Sequence, residues 1–600
     1  MRRLKNILLS MDSHTTTYTK MYEGPISIVD QFGSNFSDFD STYYCDYGIG
    51  YVIERTNKLA LDKPTITIQI PIDKFFGFNY QTIAAADFCL RAIEPFFDAL
   101  NNELENKSRP DNENGKYYVF KPGGEIILKN TAYFSECVQK NYDYYGGVTV
   151  IEKATENSRQ TLKKCLCIKI QVQLPKGKIR KAIQMLCKDL PAATAHFVDS
   201  FDCISYKEAI MLEQQQQRIR MWLAQSEYCS FIANGSILPR SKSNFGPLDK
   251  AIPFVSPKEA EISICGLTGM GIKRGVTIIT GGGYSGKSTL IEAISSGIYN
   301  HVKGDGRELC ITDDSAVIIS AEDGRSIKGV NISPFIRWIP NNSPLFFTTE
   351  CASGSTSQAA NIIEAIEGGT NLLLIDEDKS ATNFMIRDNI MRKLIENDPI
   401  VPFTERVREL HTKKGISTIL VIGCSSEYLG IADKIYIMKD YVLRDITLEA
   451  KSMCHIQPDN ELDCADWDNS KALCAKGFSS YPQNCNTEKL ETLGKMGYVV
   501  IGDEIIDIKS LYNVVTIGQK NALGFMLRYL ETINNKSIID IHQQLDRLYH
   551  KIEEEGLDCV FSSFFTNCER FLELPRKIDV LSLINRMRYI TFEPKRKGDR

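Results

Sequence analysis

The sequence predicts an α/β protein in three parts: an N-terminal α+β domain over residues 1–250, a core of buried parallel strands over 251–450 and a mainly helical C-terminal region over 491–600. Two hydrophobic patterns in the sequence support this division. Short apolar runs such as "GVTIIT", "NLLLID" and "STILVIG" alternate with helix patterns in the core, as expected of parallel strands covered on both faces. The last hundred residues instead carry apolar residues at helical spacing. Between them, residues 451–490 include the acid-rich "DNELDCADWD", and we interpret this segment as an acidic, cysteine-containing insertion or linker.

The N-terminal part mixes β-like runs, including "TITIQIPI" and "CLCIKIQVQL", with helical stretches, of which the longest runs from about Ser205 to Tyr228. Its first twenty residues are basic and rich in hydroxyl groups, with Asp12 as the only acid. This composition is shared by mitochondrial presequences and by ordinary solvated chain termini. We therefore expect a cytoplasmic location, with a mitochondrial one as the alternative.

The composition is that of a soluble globular protein. Hydrophobic residues make up 43% and charged residues 24% of the 600 residues, and no apolar run approaches the roughly 18 residues that a membrane helix needs. We therefore expect no membrane insertion. The net charge of −4 gives no general attraction to nucleic acid, so any such binding must come from local patches.

A phosphate-binding loop is predicted between the strand "GVTIIT" and the helix that follows it. The stretch "GGGYSGKST" has the spacing GxxxxGK[ST], in which glycines let backbone N–H groups close around phosphate at the positive end of a helix. Lys287 is expected to reach the β- and γ-phosphates, and Ser288 to ligate Mg²⁺. The predicted nucleotide-binding residues are Gly281, Gly282, Gly283, Tyr284, Ser285, Gly286, Lys287, Ser288 and Thr289.

A second apolar strand, "NLLLID", ends in two acids that complete the predicted chemistry. Asp376 is expected to hold Mg²⁺, and Glu377 to polarise the water that attacks the γ-phosphate. Two acids at the end of a strand are usually solvated, but the upstream phosphate loop favours the functional interpretation. We therefore assign Glu377 and Lys287 to catalysis, and Ser288 and Asp376 to the metal.

A second glycine and hydroxyl cluster, "ASGSTSQAANIIEAIE", opens another predicted helix before the second strand. Ser353, Gly354 and Ser355 lie at its beginning, where free N–H groups and hydroxyls can bind a γ-phosphate. One chain cannot easily wrap both loops around one nucleotide. By itself, the stretch would be an ordinary capped helix.

These motifs together resemble those of the predicted ATPases of the ATP-binding-cassette (ABC) class. The similarity rests on "GGGYSGKSTL", "AEDGRSIKGVNISPFI", "ASGSTSQAANIIEAIE", "LLIDEDKSATNFMIRD" and "STILVIGCSSEYLGIADKIYIM", and weaker matches extend it over most of the chain. The resemblance implies a P-loop NTPase core of ABC type that uses ATP and Mg²⁺. It also implies a head-to-tail homodimer, in which the signature loop of one subunit, here Ser353–Ser355, closes the ATP site of the other.

The resemblance also locates the D-loop in "DEDKSATN", so that Ser380 and Ala381 are expected at the dimer interface. Asn383 stands where transporters usually carry aspartate.

Two further positions depart from the family pattern. "LVIGCSSEY" occupies the place of the switch histidine but contains no histidine; Gly423 falls nearest that place, and Ser425 offers a hydroxyl instead. No Q-loop glutamine is evident, and Glu322 or Asp323 of "SAEDGR" stands as its replacement. Both departures favour slow turnover.

Two basic patches suggest partners. Residues 174–188 hold five positive and no negative side chains, and residues 576–600 hold eight positive and three negative ones. Clustered lysine and arginine are typical of phosphate-backbone binding, although such runs are often only solvated surface. The resemblance includes a trypanosomatid mitochondrial member associated with RNA processing, which favours RNA over other nucleic acids and is compatible with a protein complex.

The sequence therefore predicts an ABC-class ATP hydrolase that acts as a homodimer and is coupled to RNA or another nucleic acid. The alternative is an ATP-dependent clamp or scaffold with negligible turnover, which the missing histidine favours. A P-loop small-molecule kinase is disfavoured because it would leave the signature loop and the D-loop without a task.

Overall fold

The computed structural model describes residues 2–9, 18, 41–54, 62–75, 80–106, 115–138, 162–242, 246–387, 391, 394–395, 397–454, 464–469, 471–473, 490–493, 497–533, 540–561 and 571–594. The chain divides into two compact units, Met1–Met211 with Phe561–Glu573 and Leu212–Val560 with Leu574–Arg600. Residues 212–250, which the sequence assigns to the N-terminal domain, thus belong to the second unit. The other predicted boundaries stay predictions, and most of the predicted linker lies outside the described residues.

The first unit is an α+β structure. Its strands are β1 (Ser41–Asp46), β2 (Ile49–Glu54), β3 (Thr65–Pro71), β4 (Lys116–Val119), β5 (Glu125–Ile126), β6 (Ala132–Val138) and β7 (Leu162–Gln173). Its helices are α1 (Arg2–Leu9), α2 (Ile83–Asn106), α3 (Ile179–Gln184), α4 (Leu190–Asp199) and the first part of α5 (Cys203–Gln225), with a π-helical turn at Met185–Asp189.

An antiparallel sheet in the order β1-β2-β3-β7-β4, with β6 also paired to β7, forms the frame of this unit. The alternating isoleucines Ile66, Ile68 and Ile70 of β3 share one face, as the two-residue period of a strand requires, and are fully buried. They pack in one core with apolar residues of α2 such as Leu90 and Phe97. The two β-like runs predicted for this domain are β3 and β7.

The second unit contains the predicted parallel core. Its elements up to residue 453 are β8 (Tyr228–Ala233), β9 (Glu261–Ile264), β10 (Leu267–Lys273), β11 (Val276–Thr280), α6 (Lys287–Ser296), β12 (Asn300–His301), β13 (Cys310–Thr312), β14 (Val317–Ile319), β15 (Ile327–Val330), β16 (Phe347–Thr349), α7 (Gly354–Glu367), β17 (Leu372–Asp376), α8 (Thr382–Met385), α9 (Phe403–Lys414), β18 (Ser417–Val421), β19 (Lys434–Lys439), β20 (Val442–Asp445) and α10 (Thr447–Met453).

The central sheet has the order β14-β17-β18-β11-β19-β20, and only the pairing of β19 with β20 is antiparallel. The three apolar runs named above as parallel strands form β11, β17 and β18, and a fourth apolar run predicted as a strand, "KIYIM", forms β19. Because Asp376 pairs with Val421 and Val421 with Ile279, the carboxyl ends of β17, β18 and β11 meet at one edge of the sheet. Ligands of open α/β sheets bind at this edge.

The C-terminal region contains the predicted helices and also short strands that the sequence did not predict. The helices are α11 (Ile517–Ile533), α12 (Ile541–Glu555) and α13 (Lys577–Ile584). The strands are β21 (Lys471–Leu473), which lies in the predicted linker and pairs with β25, and then β22 (Leu490–Leu493), β23 (Tyr498–Ile501), β24 (Glu504–Asp507) and β25 (Phe592–Pro594). Strands of three or four residues are too short to show a clear alternating pattern.

Candidate functional site

The phosphate loop follows β11 and leads into α6. Gly281 has φ of +145° and Gly286 has φ of +106°, which are backbone conformations that favour glycine. A Cβ on Gly281 would lie 2.3 Å from the carbonyl oxygen of Met438, and one on Gly286 would lie 3.1 Å from the ring of Tyr441. The glycines therefore let the loop fit closely against the hairpin between β19 and β20.

The loop presents donors suited to phosphate. Lys287 Nζ donates to the carbonyl oxygens of Gly281 (2.7 Å) and Gly282 (2.8 Å), so the ammonium group is folded over the loop. Ser285 Oγ is shielded from solvent and has no hydrogen-bond partner among the described residues. Ser288, in the first turn of α6, is exposed. An unpartnered hydroxyl, a lysine and a helix N-terminus together fit a bound phosphate.

Tyr284, at the tip of the loop, is fully exposed and has φ of +59°. Thr289 follows Ser288 in the first turn of α6 and is half-buried.

The two acids at the end of β17 have different surroundings. Asp376 is buried, and burial raises its pKa, while the N–H of Asp378 and the charge of Lys287 act in the opposite direction. Glu377 is half-buried, and its Oε2 accepts the backbone N–H groups of Gly423 (2.6 Å) and Cys424 (3.1 Å). Glu377 is thus held at the edge of the sheet by the segment that follows β18.

The sequence pattern places the switch-histidine position in that segment. Backbone N–H groups of Gly423 and Cys424 contact Glu377 there. Ser425, predicted as the hydroxyl substitute, is buried and accepts the N–H of Glu427 at 3.4 Å.

The signature loop begins α7. Ser353 is the N-cap residue, and its hydroxyl interacts with the N–H (3.5 Å) and the hydroxyl (2.8 Å) of Thr356. The atoms nearest to a Cβ placed on Gly354 belong to Asp323, Ala321 and Ala381. The neighbours of Gly354 in its own chain are therefore the segment after β14 and the D-loop.

The third predicted signature residue, Ser355, is buried, and its hydroxyl donates to Asn383 Oδ1 at 2.6 Å. The hydroxyl of Ser355 is therefore already hydrogen-bonded within the chain. The group of Ser355 that can bind a phosphate is its backbone N–H in the first turn of α7.

Gln358 links the signature helix to the D-loop, a role that was not predicted from the sequence. Its Nε2 donates to Ser380 Oγ (3.0 Å), and its Oε1 accepts the N–H of Ala381 (2.8 Å). Ser380 Oγ in turn donates to the carbonyl oxygen of Asp376 (2.8 Å). A buried amide thus connects α7 with the strand end that carries Asp376 and Glu377. A polar residue on the apolar face of a predicted helix is the signal that could have identified it.

Glu322, considered as a substitute for the Q-loop glutamine, has its carboxylate occupied within the chain. It accepts two hydrogen bonds from Arg586 (2.5 and 3.2 Å) and one from Asn361 (2.8 Å). Burial acts to raise its pKa, but the charges of Arg586 and Arg325 hold the pKa below its usual range.

The two basic patches differ. In residues 174–188, Lys176, Lys178, Arg180 and Lys188 are exposed. In residues 576–600, all four of the positive side chains that the structure describes bind acceptors of the same chain; they are Arg576, Lys577, Arg586 and Arg588. The second patch therefore owes half of its positive charge to side chains with structural partners.

The described residues contain no helix with the length and apolar character of a membrane span. Of the N-terminal stretch that suggests a presequence, the structure describes residues 2–9 and 18, and the location of the protein stays a prediction.

Parts of the chain are similar to known proteins. Residues 204–470 match the P-loop domain of the ABC_ATPase family, and residues 492–593 match the MRB1590 C-terminal domain. The protein MJ1628 of Methanocaldococcus jannaschii is 32% identical over 291 residues, which cover 45% of this chain and 62% of the relative. The chain thus spans less than two thirds of that relative.

Solved structures of ABC cassettes are also similar. cbiO1 from Clostridium perfringens, part of the ABC transporter complex cbiONQ, is 17% identical and covers 36% of this chain and 87% of its own, with a TM-score of 0.23. The ADP conformation of MJ1267, an ATP-binding cassette of an ABC transporter, is 15% identical and covers 36% and 90%, with a TM-score of 0.23.

Proposed function

We propose that the protein, whose residues 204–470 match the P-loop domain of the ABC_ATPase family, binds and hydrolyses ATP with Mg²⁺ as a head-to-tail homodimer. The observation that carries the proposal is the position of Glu377. It follows Asp376 at the edge of the sheet where the phosphate loop begins, and two backbone N–H groups hold one of its oxygens.

Each group has a defined task in this proposal. N–H groups of the loop and Lys287 bind the β- and γ-phosphates, replacing the carbonyl contacts of the lysine. Ser288 and Asp376 supply a hydroxyl and a carboxylate, the oxygen ligands that Mg²⁺ prefers, and they would hold the ion. Bound Mg²⁺ would neutralise charge that develops on the phosphate oxygens. With Oε2 held by two N–H groups, Glu377 uses Oε1 to orient water and accept its proton.

The second loop supports the proposed dimer. Ser353 and Gly354 lie at the N-terminus of a 14-residue helix. Ser353 is exposed, and Gly354 lies against the segment after β14 and the D-loop. We assign them to the γ-phosphate of ATP bound by the other subunit. The contact of Gln358 with Ser380 and Ala381 keeps the signature loop and the D-loop in a fixed relation as they meet that subunit.

Coupling to RNA is the finer part of the proposal, and residues 174–188 support it. Their exposed lysines and arginine lie on and around α3 in the first unit. Contacts of this kind with a phosphate backbone weaken as salt concentration rises. The second patch contributes less to the proposal, since its described positive side chains have partners within the chain.

Phosphate release by the purified protein with ATP and Mg²⁺, with and without single-stranded RNA, tests the proposal. We expect release that RNA stimulates and that Glu377→Gln abolishes. Replacing Lys176, Arg180 and Lys188 by alanine should remove the stimulation and reduce the salt dependence of RNA binding, while the basal rate is kept. Lys413→Ala with Lys414→Ala, on the exposed end of α9, is the matched control. Stimulation that survives the triple substitution would exclude this patch.

An ATP-dependent clamp with negligible turnover is the second candidate. The observation in its favour is that backbone N–H groups, instead of a histidine, contact Glu377. It predicts dimerisation with ATP and no phosphate release under either condition. Steady release would exclude it.

A further inference from the structure

The segment between β14 and β15 contacts the signature helix α7 and is also bound by residues of the C-terminal region. Within this segment, Glu322 accepts hydrogen bonds from Arg586 and from Asn361 of α7. Asn361 also donates to the carbonyl oxygen of Ser320 at 2.9 Å. Arg586, just after α13, thus reaches both the segment and the helix that it supports.

Arg586 is a buried cation with specific partners. Besides Glu322, it donates to the carbonyl oxygen of Ser582 (2.8 Å) and to Asn361 Oδ1 (3.4 Å). Burial acts to lower the pKa of Arg586, and the charge of Glu322 acts to raise it, with a net rise. A buried charge whose partner is removed is strongly destabilising, so this pair holds its two segments together.

The cluster continues along the signature helix. Arg325 donates to Asn361 Oδ1 and to Glu364 Oε2, and Arg325 and Glu364 form an ion pair with both side chains buried. A small cavity at this junction is lined by Glu322, Asn361, Glu364 and Arg586.

Further contacts join the C-terminal region to both ends of the same helix. Arg588 donates to the carbonyl oxygens of Glu350 (2.6 Å) and Gly324 (3.3 Å), before the helix begins. At its end, a Cβ on Gly368 would lie 2.6 Å from Ile578 of α13. The contacts therefore extend along the full length of α7.

We propose that Arg586 is a positioning residue through which the C-terminal region sets the position of the signature loop. Gly354 rests against Asp323 and Ala321, the neighbours of Glu322, so a shift of this segment moves the signature loop directly. The inference rests on the proposed function, because a displaced signature loop matters only if that loop acts on ATP.

Replacing the arginine tests this role. Arg586→Met removes the charge and the hydrogen bonds, and Arg586→Lys keeps the charge but loses the planar fork. Arg528→Met is the matched control, since Arg528 is also buried and ion-paired, with Glu531 in α11. Arg586→Met leaves the buried carboxylate of Glu322 without its cationic partner. The double variant Arg586→Met with Glu322→Gln removes this uncompensated negative charge.

The first measurement is hydrogen exchange of backbone amides in the intact protein, which does not depend on turnover. We expect Arg586→Met to speed exchange of residues 321–325 and of the first turn of α7 at least tenfold, with the phosphate loop unchanged. Arg586→Lys should lie between wild type and Arg586→Met, and Arg528→Met should leave these amides as in wild type. Equal exchange in all variants, or an equal effect of Arg528→Met, would overturn the proposal.

The second measurement is steady-state phosphate release. We expect the double variant to lose at least tenfold in kcat with KM for ATP within twofold, since the phosphate loop is untouched. An unchanged kcat in an active protein would reject the positioning role. If wild type releases no phosphate, the proposed hydrolysis fails instead, and the exchange data still decide whether Arg586 holds the signature segment.

Discussion

Two helix N-termini in the second unit carry glycine residues and hydroxyl groups, but their hydrogen bonding differs. At α6, two glycines of the loop have positive φ, and Lys287 donates hydrogen bonds to two carbonyl oxygens of the loop. Ser285 Oγ has no hydrogen-bond partner among the described residues. At α7, the hydroxyls of Ser353 and Ser355 are bonded within the chain. The N-terminus of α6 therefore has hydrogen-bond donors that a ligand can use, whereas hydrogen bonds within the chain fix the N-terminus of α7.

This difference assigns each terminus a task. A loop that must enclose phosphates needs unused donors that the ligand can satisfy. A loop that closes a site formed by another molecule needs a fixed position, because small misplacements of reacting groups are costly for rate. In the proposed dimer, the phosphate loop is the binding element and the signature loop is the rigid element presented to the other subunit. The predictions below separate these tasks.

Removing the lysine of the binding element should have the largest effect. Lys287→Ala deletes the charge that faces the phosphates, and we expect phosphate release to fall at least about a hundredfold, with weaker ATP binding. Phosphate release and binding of a fluorescent ATP analogue measure the two effects. Lys413→Ala, an exposed lysine on α9, should match wild type in both assays. Native ATP affinity in Lys287→Ala would contradict the assignment.

Removing the proposed base should separate binding from chemistry. Glu377→Gln should lower phosphate release about a hundredfold or more, while ATP binding is kept and the dimer is trapped. Analytical ultracentrifugation with ATP measures the dimer. Asp378→Asn changes the exposed neighbouring acid and should hydrolyse ATP at close to the native rate. Hydrolysis at the native rate by Glu377→Gln would remove Glu377 from the mechanism.

Loosening the rigid element should have a smaller effect. Gln358→Met leaves the N–H of Ala381 without its acceptor and removes the hydrogen bond donated to Ser380 Oγ, which should cost about 1–3 kcal/mol of unfolding free energy. We expect kcat to fall roughly tenfold, because misplaced groups lose rate steeply. ATP affinity should stay native. Gln519→Met, which removes a buried amide bonded to Tyr299, should lose similar stability but keep kcat.

The smallest expected effect concerns acid stability. Arg586 and Arg325 hold the pKa of Glu322 below its usual range, with Glu364 the neighbouring acid of the cluster. The ionised carboxylate therefore stabilises the fold above its ordinary pKa, and this contribution is lost as pH falls towards the lowered value. Thermal unfolding between about pH 6 and pH 3 should depend less on pH in Glu322→Gln than in wild type. Identical pH profiles would show that Glu322 contributes nothing to acid stability.

The sequence predicted the parallel core and the phosphate loop well, for a physical reason. Runs such as "NLLLID" are apolar enough to be buried on both faces, and the spacing from Gly281 to Ser288 leaves few alternatives to a phosphate loop. These features are local, so the residues that define them are adjacent in the chain.

What the sequence missed depends on distant residues. Glu322 and Arg586 are 264 positions apart, and no local pattern reveals that they form an ion pair. The same holds for Glu377 and the N–H groups of Gly423 and Cys424, since backbone donors have no residue type that a motif could specify. Arg576 and Arg586 were predicted as part of a basic surface patch because charge runs alone do not distinguish buried from exposed cations.

The most direct test of the central claim mixes two damaged subunits. Lys287→Ala spoils the binding element, and Ser353→Asp keeps a good N-cap residue but sets a negative charge against the γ-phosphate. Each variant alone should release almost no phosphate. An equimolar mixture should recover roughly a quarter of the wild-type rate, because half of the randomly formed dimers are mixed and each has one intact composite site. A mixture no faster than the two variants measured separately would contradict action of the signature loop on the ATP of the other subunit.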